Sequence, residues 1–272
     1  MVSHVETSAH SAAACRIDGA SQRAFLAGSA LLFAAGAAAT ILWCGPMSEM
    51  GEMPMPGDWK MSMVWMRMPG QGGPEAAASF LGMWAVMMVT MMLPSLVPML
   101  WRYREAVGRT DRLGPLTALV GLAYFVVWSV VGIVVFPVGR ALATLQMQHP
   151  ALARAVPTAT GVAVVVLGAL QFTAWKARLL ACCRQAPACR ALRSDVGTAW
   201  QHGLRLGLKC TGCCANLMAI PLIIGIMDLR AMALATAAIT VERLAPAGER
   251  VARGVGLTLV GVGLVLIARA HG

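Results

Sequence analysis

The chain has 272 residues, 58% of them hydrophobic and 12% charged, and carries a net charge of +10. A soluble domain is about 25% charged, so this composition excludes an ordinary soluble enzyme. The basic excess lies in short segments between apolar blocks, where it acts as a topology signal and excludes a nucleic-acid-binding face.

Apolar blocks of about 18 residues or more read as membrane spans. Backbone in lipid must satisfy its own hydrogen bonds, so the spans are expected to be helical. The chain therefore reads as an all-α polytopic transmembrane helix bundle of about seven spans: 24–43, 79–101, 116–138, 158–180, 206–227, 231–247 and 252–269. Residues 1–23 form a tail, and 24–272 a single transmembrane domain. Most of the 22 lysines and arginines fall in the tail, in 102–112, between Lys176 and Lys209, and from Arg243 to Arg253. The positive-inside rule then places the protein in the inner (cytoplasmic) membrane with the N-terminus inside and the C-terminus outside.

The first span has an apolar core of about 20 residues, longer than a signal-peptide core. Trp43 is too bulky to precede a lipoprotein cysteine at Cys44. A retained span is expected.

An external loop follows at 45–73, with eight methionines and four prolines. The loop is expected to be irregular. Met53, Met55, Met61, Met63, Met66 and Met68 suit a low-affinity collector of copper or silver, since thioethers stay usable where thiols oxidise. Alternatively the loop lies on the membrane, with Trp59 and Trp65 as interface anchors.

In the second span Met83, Met87 and Met91 recur every fourth residue, with Met88 and Met92 beside them. Pro94 and Pro98 are expected to break or kink its end. Such a ribbon is either an adaptable packing face or a file of soft ligands, which select Cu(I). The fourth span holds Gln171 and Lys176. In the fifth, Cys210, Cys213 and Cys214 share one helix face, continued by Gly203, Gly207, Leu217 and Pro221. Small residues there let a neighbouring helix approach, so the cysteines serve packing, metal binding or both. The sixth span is the shortest and ends on Glu242 and Arg243, with Lys176 a candidate partner for Glu242. Glu242 and Lys176, as charges in or near spans, are functional candidates.

Seven of the eight cysteines fall on or near the cytoplasmic side, where thiols stay reduced, so clustering favours metal or redox chemistry over a disulfide framework. Zinc is the alternative ion if Cys182, Cys183 or Cys189 joins the fifth-span thiols. The five histidines form no metal-spaced pair. No phosphate loop, dinucleotide fingerprint or nucleophile elbow occurs, and a non-enzymatic role is expected.

Taken together, these blocks resemble a bacterial and archaeal family of predicted metal-binding integral membrane proteins, a domain of unknown function. The resemblance rests on "MWAVMMVTMMLPSLVPM" at 83–99, "LGALQFTAWK" at 167–176, "CTGCCANLM" at 210–218, "GIMDL" at 225–229 and "VERLAP" at 241–246. It covers roughly residues 75–268. It implies a metal site drawn from Met87, Met91, Met92, Pro94, Lys176, Cys183, Cys210, Cys213, Cys214, Met218 and Glu242. Leu179 stands where the family tends to have a cysteine, and Leu206 where it often has histidine.

The combined expectation is an integral membrane protein that binds a soft ion, Cu(I), for transport or delivery. The metal ligands are Cys183, Cys210, Cys213, Cys214, Met87, Met88, Met91, Met92 and Met218, with Lys176 and Glu242 as polar members. Its partners would be the lipid bilayer and a copper chaperone or cuproenzyme. The alternatives are a thiol-redox carrier working through Cys-x-x-Cys and a structural subunit of a membrane complex.

Overall fold

A computed structural model describes residues 19–49, 53–56, 59–65, 72–108, 110–184, 192–226 and 228–271. The tail up to residue 18, Met66, Met68 and Cys189 lie outside the described residues. Residues 19–23, expected in the tail, already belong to the first helix.

The architecture is an all-α bundle. Its helices are α1 (Gly19–Glu49), α2 (Gly73–Val107), α3 (Leu113–Gln148), α4 (Pro150–Leu170), α5 (Ala174–Arg184), α6 (Val196–Ile224), α7 (Leu229–Leu244) and α8 (Gly248–His271). Six of them (α1 over Gly19–Trp43, α2, α3, α4, α6 and α8) are long and apolar enough to cross a membrane. Leu31, Leu42, Leu122, Val134, Leu234 and Leu257 are all more than half exposed. This is the apolar exterior that a lipid-facing bundle presents.

The expected irregular loop at 45–73 is more ordered than its prolines suggested. Helix α1 runs on to Glu49. Strands β1 (Met53–Met55) and β2 (Trp59–Met61) then pair antiparallel, Met53 opposite Met61. A single 3-10 turn follows at Met63–Trp65. Both tryptophans are half-buried and contact the bundle. The Trp59 indole N–H donates to the Ala153 carbonyl of α4 at 2.8 Å, and Trp65 packs against Phe80 of α2. The hairpin thereby covers one end of the bundle.

Helix α2 begins with Pro74 in its first turn, and the Glu75 carboxylate accepts the Gly72 N–H at 2.9 Å. Pro94 and Pro98 do not end it: the helix continues through both to Val107. At the start of α6 the Asp195 side chain caps the helix. It accepts from the Thr198 backbone N–H at 2.8 Å and from the Thr198 hydroxyl at 2.8 Å. Those two bonds, the backbone one foremost, hold its carboxyl below the usual carboxylate range.

The pairings fix the direction of each segment. Ser21 meets Arg104 and Gly36 lies against Thr90, so α1 and α2 are antiparallel. Trp84 donates to the Trp128 carbonyl and Phe80 stacks near Phe136, so α2 and α3 are antiparallel as well. Gly203 lies against Val120 and Gly207 against Tyr124, which makes α3 and α6 parallel.

Helices α4 and α8 make the closest antiparallel seam. Gly161 faces Gly263, and Gly168 faces Gly256. A Cβ on Gly168 would sit 2.9 Å from the Leu259 Cβ and 3.0 Å from the Gly256 carbonyl oxygen. Backbone lies on both sides, so the helices would have to separate. Gly168→Ala is expected to destabilise the bundle by about 1–3 kcal/mol, the usual cost of overpacking. The lowered midpoint would be read in detergent by circular dichroism. On α8, Gly261 has open space where a Cβ would go, so Gly261→Ala should hold or raise the midpoint, alanine being the better helix former. Equal midpoints for the two variants would show that the seam tolerates separation.

Two expected spans take a different form. The segment 158–180 is not one helix: α4 stops at Leu170, and α5 restarts at Ala174 with the Thr173 hydroxyl accepting the Lys176 N–H at 3.2 Å. The sixth expected span, 231–247, is α7, which has 16 residues and packs between α2, α6 and α8. Asp228 caps it, accepting from the N–H groups of Arg230 and Ala231.

Candidate metal centre

All nine sulfur residues expected as metal ligands are buried, at 4% exposure or less. Met87, Met88, Met91 and Met92 of α2, Cys183 of α5, and Cys210, Cys213, Cys214 and Met218 of α6 belong to one apolar core. Helical spacing accounts for this. On α6 the buried positions include the stripe Ala199, Gly203, Gly207, Cys210, Cys213, Cys214, Leu217 and Pro221, with the helix period, and widen past Cys214 to take in Asn216, Met218 and Ile220. The glycines let α3 come close, and Tyr124, opposite Gly207, reaches one turn further to Cys210.

Cys210 is the centre of this cluster. Its sulfur accepts from the Tyr124 hydroxyl at 3.0 Å and from the Arg243 guanidinium Nη1 at 3.0 Å. The Cys214 sulfur stands 3.7 Å away. Cys183 donates its thiol to the Lys209 carbonyl at 3.2 Å. Its neighbour Cys182 is half-buried, so Cys183 is the thiol that α5 turns into the core. The five cysteines described here are all free.

Beside the thiols lies a buried ion pair. Lys176 Nζ is 2.9 Å from Glu242 Oε2, and Gln171 Nε2 donates to Glu242 Oε1 at 2.7 Å. Lys176 also donates to the Cys213 carbonyl at 2.7 Å and to Asn216 Oδ1 at 3.3 Å. The pairing of Glu242 with Lys176, one of the options open in the sequence, is thus formed. Lys176 and Arg243, counted in the sequence as cytoplasmic basic residues, are instead core residues at 1% and 2% exposure. The desolvation cost of a buried charge is met for Lys176 by carboxylate, carbonyl and amide oxygens and only in part for Arg243, whose Nη1 has hydroxyl and sulfur partners; no hydropathy count registers either.

Toward the other end of α2, a small apolar cavity is lined by Thr40 and Trp43 of α1, Met83, Val86 and Met87 of α2, Ile226, and Met232 of α7. Met83, Met87 and Met232 bring three thioethers to its wall. Met61 of the covering hairpin is also buried.

Sequence reasoning missed Tyr124, Ser95 and Met232, and treated Arg243 only as a topology charge. A signal existed for Tyr124, which is one of two tyrosines in the chain and sits inside an apolar run. For Ser95, which accepts from Arg243 Nη1 at 2.9 Å, only the neighbouring prolines set it apart.

The donor set defines the chemistry. Two sulfurs held at about 2.3 Å from one ion stand no more than about 4.6 Å apart, so Cys210 and Cys214 can bridge a soft ion. Among the described residues, no three Cys, His, Asp or Glu side chains converge as a metal-holding group. The arrangement is that of a helical bundle of membrane-crossing length with a thiol and thioether core.

A family model described as PpoB2, copper chaperone, matches residues 81–266. That is more than half of the chain, and the chain belongs to this copper chaperone family. The matched stretch runs from residue 81 of α2 to most of α8 and contains Cys182, Cys183, Cys210, Cys213, Cys214, Lys176, Glu242 and Arg243. No curated protein and no solved structure matches the chain.

Proposed function

We propose that this protein is an integral membrane carrier that binds Cu(I) and delivers it to a copper-requiring partner. The observation that carries the reading is the pair Cys210 and Cys214, with sulfurs 3.7 Å apart in a fully buried setting, inside a domain of a copper chaperone family. Thiolates are soft ligands suited to Cu(I), and two of them suffice for that ion, whereas a structural zinc site wants four ligands. The methionines of α2 border the same core and supply weaker thioether ligands. Copper would enter near Met83, Met87 and Met232, follow Met88, Met91 and Met92, and come to rest between Cys210 and Cys214, with Cys213, Cys183 and Met218 in reserve. Affinity rising from thioether to thiolate would give the movement its direction.

We place the protein in the inner membrane with its N-terminus inside. Seven segments alternate in direction, α4 and α5 counting as one, which supports termini on opposite sides. Arg23, Arg102, Arg104, Arg112, Arg193 and Arg205 lie toward the end where α2 gives way to α3, opposite the methionine hairpin. That asymmetry is the one expected of a cytoplasmic face.

The thiol-redox reading fares worse, because its cysteines must meet a partner thiol directly and all of the core thiols are buried. Titration of the reduced, purified protein with Cu(I) against a chromophoric chelator tests the two together. Stable retention of Cu(I) with the thiols protected from alkylation is the expected result. No retention, with ready formation of an internal disulfide, would replace the copper reading by the redox one.

A further inference from the structure

Among the described residues, Arg104 and Arg243 are the buried cations outside the ion pair, and of the two Arg243 is the one that touches a thiol. Lys176 is neutralised by Glu242 at 2.9 Å. Among the described residues no carboxylate forms an ion pair with Arg243; its Nη1 donates to Ser95 Oγ at 2.9 Å and to Cys210 Sγ at 3.0 Å. Among the described residues its buried Nε and Nη2 have no hydrogen-bond partner. An isolated buried guanidinium is costly, and two unused donors add to that cost. Glu242, the preceding residue, is tied on its other side to Gln171 and Lys176. This anchors α7 and holds the guanidinium against the thiols.

We infer that Arg243 is a positioning residue that sets the charge of the ion this site accepts, favouring a monovalent soft ion between two thiolates over a divalent one. The inference rests on the copper reading above. A monovalent ion on two thiolates leaves one negative charge, which Arg243 cancels. A divalent ion on the same two thiolates leaves none, and Arg243 then stands as an unmatched positive charge in a medium of low dielectric. A third thiolate would restore balance for the divalent ion, but no third side chain converges among the described residues. The unpartnered Nε and Nη2 give the guanidinium donors to spare for sulfurs that grow more negative on ligation.

The test compares Cu(I) and Zn(II), each alone, in competition with a chromophoric chelator in detergent, for the wild-type protein, Arg243→Gln and Arg243→Lys. Helicity by circular dichroism checks that each is folded. Arg243→Gln should weaken Cu(I) by about 10- to 100-fold, the usual effect of losing an outer partner of a metal ligand. Zn(II) binding should hold or strengthen, so the preference for Cu(I) falls by at least as much. Arg243→Lys, which keeps the charge, should restore most of that preference. Arg243→Met, which fills the volume without a donor, serves in its place if the glutamine variant does not fold. An unchanged ratio of the two affinities in the neutral variant would overturn the inference while leaving the copper reading intact. Absence of Cu(I) binding by the wild-type protein would overturn both.

Discussion

Replacing Cys210, Cys213 and Cys214 together by serine is expected to lower Cu(I) affinity by on the order of a thousandfold, about 4 kcal/mol, with the bundle still inserted. Serine is close to cysteine in size and keeps an acceptor. The Tyr124 hydroxyl and the Arg243 guanidinium would therefore still find a partner at position 210, so packing and the local hydrogen bonds survive. What disappears is the soft sulfur that selects a soft ion. Chelator competition on membranes or detergent-solubilised protein gives the affinity, and protease protection gives insertion. Wild-type affinity in the triple variant would leave the cysteines as small packing residues, and the ligands would have to be sought among the methionines.

The second large effect concerns folding. Glu242→Gln leaves Lys176 buried with only a carbonyl and an amide oxygen for company, and Lys176→Met leaves the Glu242 carboxylate with Gln171 alone. Each single change is expected to cost about 3–5 kcal/mol, because it strands a buried charge. The double change removes both charges and should cost clearly less than the sum. A double-mutant cycle on thermal unfolding in detergent measures that coupling. Strict additivity would mean that the two side chains do not depend on one another, contrary to their 2.9 Å contact.

Much of the bundle was legible in the sequence because lipid leaves so few choices. A run of apolar residues of sufficient length has to be a helix, and α1, α2, α3, α6 and α8 overlap the expected segments. The thiol stripe was legible for a similar reason: Cys210, Cys213 and Cys214 share a face of any helix that contains them. Partners on other helices were not. Nothing local marks Tyr124, on the parallel helix α3, as the group that meets Cys210, because that contact depends on how closely Gly203 and Gly207 let the two helices approach. Arg243 misled for a different reason. Hydropathy treats an arginine at a segment end as solvated, whereas here Cys210, Ser95 and the neighbouring Glu242 give it a place inside. The order of the methionine loop was hidden by its prolines, since Pro54 and Pro56 argue against strands and yet β1 is short enough to carry one.

The interruption between α4 and α5 decides how firmly Glu242 is held. On an uninterrupted helix, residues five apart point about 140° away from each other, so Gln171 and Lys176 would face different neighbours. With the helix broken at 171–173, one side chain approaches the carboxylate from the end of α4 and the other from the start of α5, each taking a separate oxygen. The carboxylate is thereby triangulated. Aspartate, one methylene shorter, would keep the charge at position 242 but fall short of one of its two anchors. Charge alone does not describe this position, because both reach and the gap in the opposing helix are part of it.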